Sequence, residues 1–349
     1  MNSIVQNDLQ ELLDRYDFSS QLNNKKILVT GGTGLIARYL VFYFLYCNEV
    51  DNTNIKINVL VRNLEKARKM FVSYLDKINF IVQDVCDEII FDGDLDYIIH
   101  CAGSASAYAI KNNPVGIIEA NTLGTMNVLK LALKTNCHKV LFTSTREVYG
   151  EVKDQELIDE HSFGFMDSMN LRNCYPESKR LAEVLLCSYA NQYGVNFNVA
   201  RIAHSYGPSM DLVNDGRVMA DFINFGVNKQ DIVLNSDGTA VRSFCYISDT
   251  ISGLLFILLK GDNNIAYNLA NEQEPHMIKD VAKIIVKTSG FGQVSYKEAS
   301  AEEKKGYLGY KITQLDLSLL SNLGWSPRVS LNEGIKRTLD YFRKEQAND

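Results

Sequence analysis

A glycine-rich segment near the N-terminus, from Thr30 to Ala37, constrains the fold of this chain more than any other feature. It reads T-G-G-T-G-L-I-A and directly follows the apolar run at 27–29. A strand that ends in such a turn and continues as a helix forms a cradle for a pyrophosphate. Gly31 permits the tight turn, Gly34 lets the backbone approach a phosphate, and the small Ala37 lets helix and strand pack closely. The N–H groups at the start of the helix attract the phosphates. The segment therefore predicts a dinucleotide-binding domain, without specifying the reaction.

The composition excludes several other classes of protein. A net charge of −6 is not typical of proteins that bind nucleic acid or anionic membranes. The seven cysteines are odd in number and lack metal-ligand spacing, so we expect reduced thiols, no disulfide framework and no metal site. The N-terminus lacks the pattern of a signal peptide, and the apolar stretches at 39–47 and 254–259 are too short to span a bilayer. We therefore expect a cytoplasmic protein with no nucleic-acid partner and no membrane insertion.

Strand and helix patterns alternate over the first part of the chain. Predicted strands lie at 27–30, 55–61, 79–82, 97–101, 139–144 and 196–202. Such alternation indicates an α/β fold with a Rossmann-type doubly wound parallel sheet. Beyond about residue 203 the alternation breaks down, which indicates a smaller C-terminal α/β lobe. We expect a helical leader at 1–24, a dinucleotide-binding Rossmann domain at 25–203 and mainly a substrate-binding lobe at 204–349, with the chain crossing back near 240–262.

A tyrosine and a lysine on one predicted helix are the first candidates for catalysis. Tyr175 and Lys179 lie in Y-P-E-S-K, and the four-residue spacing puts both on one helical face. Pro176 suits the first turn of that helix, and Gly194 suits its C-terminal cap. A neighbouring ammonium favours the phenolate, so we expect Lys179 to lower the pKa of Tyr175.

Two hydroxyl residues and a carboxylate follow the fifth predicted strand. Ser144 and Thr145 lie at the strand end where ligands bind in an open α/β sheet, so either hydroxyl could hold a substrate oxygen beside the tyrosine. Glu147 is either a proton-transfer base or a partner for Arg146 or Lys153. The sequence leaves these alternatives open.

The chain resembles the extended short-chain dehydrogenase/reductases, in particular the nucleotide-sugar epimerase/dehydratase family, over about residues 25–345. The motifs that carry the resemblance are T-G-G-T-G-L-I-A, Q-D-V at 83–85, H-C-A-G at 100–103, N-T-L-G-T at 121–125, Y-P-E-S-K and R-I-A-H-S-Y-G-P at 201–208. Two later segments, N-D-G-R-V-M-A-D-F-I and V-R-S-F-C-Y-I-S-D, most resemble UDP-glucuronate decarboxylases.

The resemblance implies a role for each candidate residue. The cofactor NAD+ or NADP+ would be bound by Gly31, Thr33, Gly34, Leu35, Ile36, Arg62, Asp84, Val85, Cys101, Ala102, Gly103, Tyr175 and Lys179. Within that set the glycine turn would hold the pyrophosphate, Asp84 and Val85 the adenine, and Ala102 and Gly103 the ribose. Tyr175 and Lys179 would perform the acid–base work. Thr145 would contact the sugar 4-hydroxyl, with Glu147 near carbon 5.

The substrate implied by the resemblance is a nucleotide sugar, bound mainly by the C-terminal lobe. Arg217 and Arg242 would bind its diphosphate, for which a forked guanidinium is well suited. In relatives, the helices equivalent to 114–136 and 177–193 form a dimeric four-helix bundle. Since both carry apolar faces here, the resemblance also implies a homodimer.

Three residues depart from the pattern of the family. Arg62 stands where many relatives place an acid that would repel a 2′-phosphate, so the choice between NAD+ and NADP+ stays open. Arg146 stands where 4,6-dehydratases carry an aspartate and decarboxylases a serine; it could hold a substrate carboxylate, or point outward and pair with Glu147. His204 replaces a common asparagine near the substrate phosphates and is either a substrate-binding residue or a hydrogen-bonded structural histidine.

The hypothesis from the sequence is therefore transient oxidation of a nucleotide sugar. Tyr175 takes the proton of the 4-hydroxyl, a 4-keto sugar forms, and a carboxylate on carbon 5 becomes a β-keto acid that loses carbon dioxide. UDP-glucuronate decarboxylation ranks first, then 4-epimerisation, then 4,6-dehydration or 4-keto reduction. A catalytically silent nucleotide-binding protein is the alternative from a different class.

Overall fold

A parallel sheet forms the centre of the molecule, for which a computed structural model describes residues 1–153, 155–213, 215–298 and 314–348. Fifteen strands are present in this part of the chain: β1 Lys26–Thr30, β2 Lys56–Val61, β3 Ile78–Val82, β4 Tyr97–His100, β5 Lys139–Thr145, β6 Leu157–Ile158, β7 Phe197–Ile202, β8 Ser205–Tyr206, β9 Ile232–Leu234, β10 Val241–Arg242, β11 Cys245–Tyr246, β12 Ile265–Leu269, β13 His276–Met277, β14 Val294–Tyr296 and β15 Gln314–Leu315. Seven of them form the main sheet in the order β12-β7-β5-β4-β1-β2-β3, and every neighbouring pair is parallel. The Rossmann-type fold predicted from the sequence is confirmed.

Helices cover both faces of this sheet. In the described residues they are α1 Ser3–Arg15, α2 Phe18–Leu22, α3 Leu35–Val50, α4 Leu64–Met70, α5 Ala107–Asn112, α6 Pro114–Lys134, α7 Cys174–Tyr193, α8 Val218–Val227, α9 Ile247–Lys260, α10 Ile278–Ser289, α11 Ser318–Asn322 and α12 Leu331–Asn348. Two separate hydrophobic cores result, because buried side chains of α3 and α9 belong to one cluster and those of α6 and α7 to another. The sheet therefore has apolar residues on both faces, as its continuous apolar strands require.

The last strand of the main sheet differs from the sequence interpretation. The sequence assigns 204–349 mainly to the second lobe, with the chain crossing back near 240–262, whereas β12 at Ile265–Leu269 also belongs to the main sheet and pairs with β7 over five residues. The apolar helix α9 precedes β12 and lies against the sheet, so the chain returns to the Rossmann domain here. The remaining short strands pair as β10 with β13, β11 with β8, β14 with β9 and β15 with β6.

The N-terminal leader is a packed part of the structure. Helix α1 begins at an N-cap, Asn2, whose side chain accepts a hydrogen bond from the Ile4 N–H. Leu9, Leu12 and Phe18 are buried in the same hydrophobic cluster as α3 and α9. Within the described ranges, no helix has the length and apolar character needed to cross a membrane.

Candidate active site

The glycine turn after β1 has the geometry that a pyrophosphate cradle needs. Gly31 has φ +71°, and a Cβ atom at this position would lie 2.8 Å from the Cα of Ala102. Only glycine fits so close an approach in this left-handed conformation. Gly34 is the N-cap of α3 and offers no side chain to cap it, so the first N–H groups of the helix can bind an external anion. These residues fit a dinucleotide.

A buried hydrogen-bond chain fixes the strand ends on either side of this turn. His100 lies between the hydroxyls of Thr30 (2.8 Å from Nδ1) and Thr125 (3.2 Å from Nε2). Because the Thr125 hydroxyl donates to a carbonyl of its own helix, it accepts from Nε2, and Nδ1 accepts from Thr30. Thr30 also accepts from the Ala102 N–H at 3.1 Å. Burial and the charge of Lys179 lower the pKa of His100 to about 3, so His100 is neutral and structural.

A buried acceptor without a partner lies beside the predicted ribose-binding residues. Asn121 on α6 donates from Nδ2 to the Ser178 hydroxyl (2.9 Å), which in turn donates to the carbonyl of Tyr175. The other amide atom, Asn121 Oδ1, is buried and has no hydrogen-bond partner among the described residues. A Cβ atom on Gly103 would come within 2.6 Å of it. This side of the cradle therefore offers a free acceptor, which again fits a bound dinucleotide.

The residues predicted to meet the adenosine lie together at the ends of β2 and β3. Arg62 is 77% exposed, and its Nη1 is 3.7 Å from Asp84 Oδ2. Asp84 also accepts from the Cys86 N–H at 2.9 Å. Partial burial raises the pKa of Asp84, but the hydrogen bond from Cys86 and the ion pair with Arg62 outweigh it and lower that pKa. The adjacent Val85 is anchored through its carbonyl by Asn127 on α6.

Helix α7 carries the tyrosine and the lysine into the centre of the site. It begins at Cys174, has Pro176 in its first turn and ends at a left-handed Gly194, as the sequence predicts. The Lys179 ammonium donates to the carbonyl of Thr143 at 2.8 Å, so the helix is tied directly to β5. Burial lowers the pKa of Lys179 to about 8. Cys101, another predicted cofactor residue, lies close to Lys179, and burial raises the pKa of its thiol to about 12, so it stays a neutral thiol.

Tyr175 is almost completely buried, and its surroundings decide its pKa. Burial is the largest effect and raises the pKa of the phenol, and the nearby Glu147 carboxylate raises it further. A hydrogen bond with Thr145 and the guanidinium groups of Arg217 and Arg172 act in the opposite direction. The expectation that Lys179 lowers the pKa of Tyr175 is therefore wrong for the protein alone, because burial and Glu147 raise that pKa instead.

Ser144 does not join Tyr175, although the sequence pattern offers it beside Thr145. Successive side chains of a strand point to opposite faces of a sheet. The Ser144 hydroxyl donates to Glu183 Oε1 at 2.6 Å, and Glu183 forms a two-point ion pair with Arg201, the closer contact being 2.7 Å. Ser144 thus belongs to a buried network that joins α7 to β5 and β7.

The carboxylate next to Tyr175 has a partner that the sequence interpretation did not consider. Glu147 pairs with Arg172, with contacts of 3.1 Å between Nη2 and Oε1 and 3.0 Å between Nη1 and Oε2. Arg146 does not point outward to Glu147: it is buried, and its Nη1 is 3.8 Å from Glu272 Oε1. The Ser243 hydroxyl also donates to Glu272, at 2.6 Å.

A cationic region lies next to Tyr175, at the ends of β5 and β7. His204 follows β7 with φ +47°, and its Nε2 is buried without a hydrogen-bond partner in the described part of the chain. Burial, followed by the charges of Arg146, Arg242 and Arg217, lowers the pKa of His204 to about 3. The four substrate-binding candidates therefore lie close to one another. Arg217 is oriented by Asp215, with contacts of 2.6 and 2.7 Å.

Sequence reasoning missed three residues of this region: Asn121, Arg172 and Glu183. Asn121 lies in a quoted motif, N-T-L-G-T, whose spacing says nothing of what its amide contacts. Arg172 is three positions before Tyr175, and that proximity is the one available signal. Glu183 follows Lys179 by one helical turn, so the sequence predicts that both lie on the same helical face. It does not predict that Glu183 contacts Ser144 and Arg201.

Comparisons with known proteins agree with this geometry. Residues 27–270 match the NAD dependent epimerase/dehydratase family. UDP-glucuronic acid decarboxylase 1 of Xenopus tropicalis is 33% identical, over 95% of this chain and 76% of its own length. UDP-glucuronic acid decarboxylase 6 of Arabidopsis thaliana is 32% identical, over 92% of this chain and 90% of its own.

Solved structures show the same architecture. UDP-glucose 4-epimerase of Thermotoga maritima superposes with a TM-score of 0.77 at 25% identity, covering 92% of this chain and 99% of its own. A dTDP-glucose 4,6-dehydratase of Streptomyces venezuelae with bound NAD has the same TM-score at 22% identity, with coverage of 92% and 98%, and shows likeness of fold alone.

The chain belongs to the NAD-dependent epimerase/dehydratase family. It is accordingly an NAD(P)-dependent enzyme of the extended short-chain dehydrogenase class that modifies nucleotide sugars.

Proposed function

We propose that this enzyme acts on a nucleotide sugar through a 4-keto intermediate and that UDP-glucuronate decarboxylation is its reaction. The observation that carries the proposal is the cationic region formed by Arg146, Arg217 and Arg242 around His204, beside Tyr175. A UDP-sugar acid carries negative charge at both the diphosphate and carbon 5, and guanidinium groups bind such anions well.

The side chains divide the work at the reacting carbon atoms. A bound NAD(P)+ supplies the oxidation of the 4-hydroxyl to a ketone and its later reversal. Tyr175, ionised, accepts the proton of that hydroxyl, and the Thr145 hydroxyl orients the same oxygen. Once the ketone exists, the bond from carbon 5 to its carboxylate breaks and carbon dioxide leaves; the electron pair stays as the enolate of the 4-ketone, and carbon 5 takes a proton before the ketone is reduced. Lys179 keeps α7 and β5 in register through its bond to the Thr143 carbonyl.

Arg146 argues against dehydration. Elimination of a 6-hydroxyl needs an acid that protonates the leaving oxygen, and a buried arginine paired with Glu272 cannot provide it. The same cation suits a substrate with a carboxylate at carbon 6.

A substrate panel tests the proposal. The enzyme is incubated separately with UDP-glucuronate, UDP-glucose, UDP-N-acetylglucosamine and dTDP-glucose, and products are identified by mass and by NMR. We expect carbon dioxide and a UDP-pentose from UDP-glucuronate. A 4-epimer as product would show that the enzyme is an epimerase instead. A 4-keto-6-deoxy sugar would show that it is a dehydratase. If no substrate reacts, a silent nucleotide-binding protein becomes the better account.

Replacing the catalytic tyrosine tests its role directly. Tyr175→Phe removes the proton acceptor and is expected to lower turnover by roughly 10²- to 10⁴-fold. Tyr193→Phe is the matched control, because this exposed phenol lies at the far end of the same helix. Unchanged turnover in Tyr175→Phe would refute the assigned role.

The choice of cofactor depends on Arg62. An exposed guanidinium at the end of β2 can pair with a 2′-phosphate, and nothing on NAD+ replaces that charge. We therefore expect Arg62→Ala to weaken NADP+ roughly tenfold relative to NAD+, measured by calorimetric titration of both. Mass spectrometry of the cofactor that copurifies with the wild type identifies the natural one.

We further propose that the protein is a homodimer through α6 and α7. Ile118 and Leu123 on α6, with Leu181 and Val184 on α7, are large apolar side chains exposed on helices that pack against each other. Light scattering is expected to give twice the chain mass for the wild type and the monomer mass for Val184→Glu. Val233→Glu, at an equally apolar exposed position on β9, is the control and should remain dimeric.

A further inference from the structure

We propose that Arg172 is a positioning residue for the reaction at Tyr175: it holds the Glu147 carboxylate in a fixed place beside the tyrosine and balances its charge. This inference rests on the proposed function only in that Tyr175 exchanges a proton with the substrate. It applies equally to decarboxylation, epimerisation or any other reaction through a 4-keto sugar.

The first support is the geometry of the pair. The two contacts of 3.0 and 3.1 Å set the guanidinium fork against both carboxylate oxygens. The side chains are 18% and 21% exposed, so the pair is largely shielded from water. Arginine is suited to such two-point contact because its donors lie in one rigid plane.

The backbone on each side of the pair is also held in place. Arg172 lies in the short 3₁₀ turn Leu171–Asn173, where its N–H donates to Asn170 Oδ1 at 3.0 Å. Glu147 lies in a second 3₁₀ turn, where its N–H donates to the Thr145 hydroxyl at 3.2 Å. The first turn leads directly into α7 and Tyr175, and the second follows directly on Thr145. The ion pair therefore joins the two segments that carry the reacting phenol and its hydrogen-bond partner.

The second support is the set of charges around the phenol. From the β5 side Tyr175 faces Glu147 and Thr145, from the turn before α7 it faces Arg172, and from the segment before α8 it faces Arg217. Helices α5 and α6 contribute the apolar Ile110 and Ile117. Lys179 on its own helix donates to the Thr143 carbonyl.

Charge balance follows from these neighbours. Arg217 already forms a two-point pair with Asp215, and Arg146 lies against Glu272. In the described part of the chain, Arg172 is the cation in direct contact with Glu147. Without it, an uncompensated carboxylate would lie beside a phenol that must become negative, which disfavours the phenolate. Arg172 acts through Glu147 and needs no contact with the substrate.

The test is a charge-balance cycle of four proteins: wild type, Arg172→Met, Glu147→Gln and the double variant. The dependence of kcat/KM on pH is measured with the substrate that the wild type converts. Arg172→Met is expected to move the acidic midpoint upward by about one pH unit, and Glu147→Gln to move it downward. The double variant removes both charges, so its midpoint should return close to that of the wild type. Arg172→Lys keeps the positive charge, so its midpoint should stay close to that of the wild type.

A merely structural role for Arg172 would give a different pattern. It would lower kcat or the melting temperature without moving the midpoint, and the second substitution would not restore it. If the wild type converts its substrate and the variants give that pattern, only the positioning role of Arg172 is overturned. If the wild type converts no sugar in the panel, the proposed function is overturned as well. The activity of the wild type therefore tells the two failures apart. Melting temperatures of all four proteins, measured in parallel, identify any variant that fails to fold.

Discussion

Two clusters in this protein each pair a carboxylate with an arginine, but one lies in the core and the other at the candidate active site. In the first, Asp8 of the N-terminal helix is fully buried and accepts from the Tyr39 hydroxyl (2.5 Å), the Tyr246 hydroxyl (2.8 Å) and Arg337 Nη1 (2.7 Å). In the second, Glu147 and Arg172 meet at the edge of the candidate active site, with about a fifth of each side chain exposed.

The difference lies in how completely the central carboxylate of each cluster is buried: Asp8 is 0% exposed, whereas Glu147 is 21% exposed. Arg337 on α12 also donates to both oxygens of Glu11 and to Glu333, and Asp8 joins α1 to α3 and to the residue before α9. Four distant segments thus depend on one buried carboxylate. Glu147 and Arg172, by contrast, lie beside the single phenol of Tyr175, which the proposed reaction requires to exchange a proton. A fully buried carboxylate bound by three partners stabilises the fold, whereas a carboxylate in one ion pair beside Tyr175 is placed to adjust the chemistry proposed for that phenol.

The largest effect is expected from breaking the buried cluster. Arg337→Met leaves the Asp8 carboxylate without its cation and should lower the free energy of unfolding by about 3–5 kcal/mol in denaturant titration. Lys283→Met, which breaks an exposed pair with Asp280 on α10, is the control and should cost at most about 0.5 kcal/mol. A loss below about 1 kcal/mol for Arg337→Met would mean that the cluster does not brace the fold.

A second fully buried acid, Asp249 on α9, has no ion pair with any of the described residues. Its Oδ2 accepts from the N–H groups of Arg328 and Val329, both at 2.9 Å. Burial raises its pKa from 3.8 to about 6, although both hydrogen bonds and the charge of Arg15 oppose the shift. Protonated Asp249 therefore stabilises the fold below about pH 4, and this stability is lost as the pH rises through about 6.

The corresponding measurement compares Asp249→Asn with the wild type across that range. Asparagine keeps the acceptor oxygen but cannot ionise, so the two proteins should be similarly stable at pH 4. At pH 7 the variant should be more stable by roughly 2–3 kcal/mol. Equal stabilities at both pH values would show that Asp249 does not titrate in this range.

A smaller effect is expected from removing one donor of the buried cluster. Tyr246→Phe deletes the hydroxyl that donates to Asp8 and should cost about 1.5–3 kcal/mol, as hydrogen bonds to charged groups do. Tyr206→Phe, whose hydroxyl donates to the Leu331 carbonyl at a longer 3.3 Å, is the matched control and should cost about 0.5–1.5 kcal/mol. Equal losses in the two variants would argue that the Asp8 charge adds nothing.

Neither cluster could be predicted from the sequence, although much of the fold could. Gly31 and the caps of α7 are local signals, because the conformation they require is set by the neighbouring residues. Asp8 and Arg337 are 329 positions apart, and a polar helical pattern at 1–24 gives no sign that Asp8 becomes buried. Such pairings depend on how distant elements pack, and that information is spread over the whole chain.

The candidate site divides in the same way. Thr145, Tyr175 and Lys179 were identifiable because strand ends and one helical face bring them together. The hydroxyl of Ser144 was misleading because its direction depends on which face of β5 meets Glu183, 39 positions away. The partner of Glu147 lies 25 positions further along the chain, in a turn that no periodicity marks.

The smallest effect on stability is expected from a change in the Glu147–Arg172 pair. Glu147→Gln keeps a side-chain oxygen that can accept a hydrogen bond from Arg172, so it should change the free energy of unfolding by only about 1 kcal/mol. Denaturant titration at pH 7 measures this beside Arg337→Met. The same Glu147→Gln protein should nonetheless show the shifted pH midpoint of kcat/KM. A pair that mainly adjusts the pKa of Tyr175 must be dispensable for folding. A stability loss equal to that of Arg337→Met would therefore show that the Glu147–Arg172 pair mainly stabilises the fold.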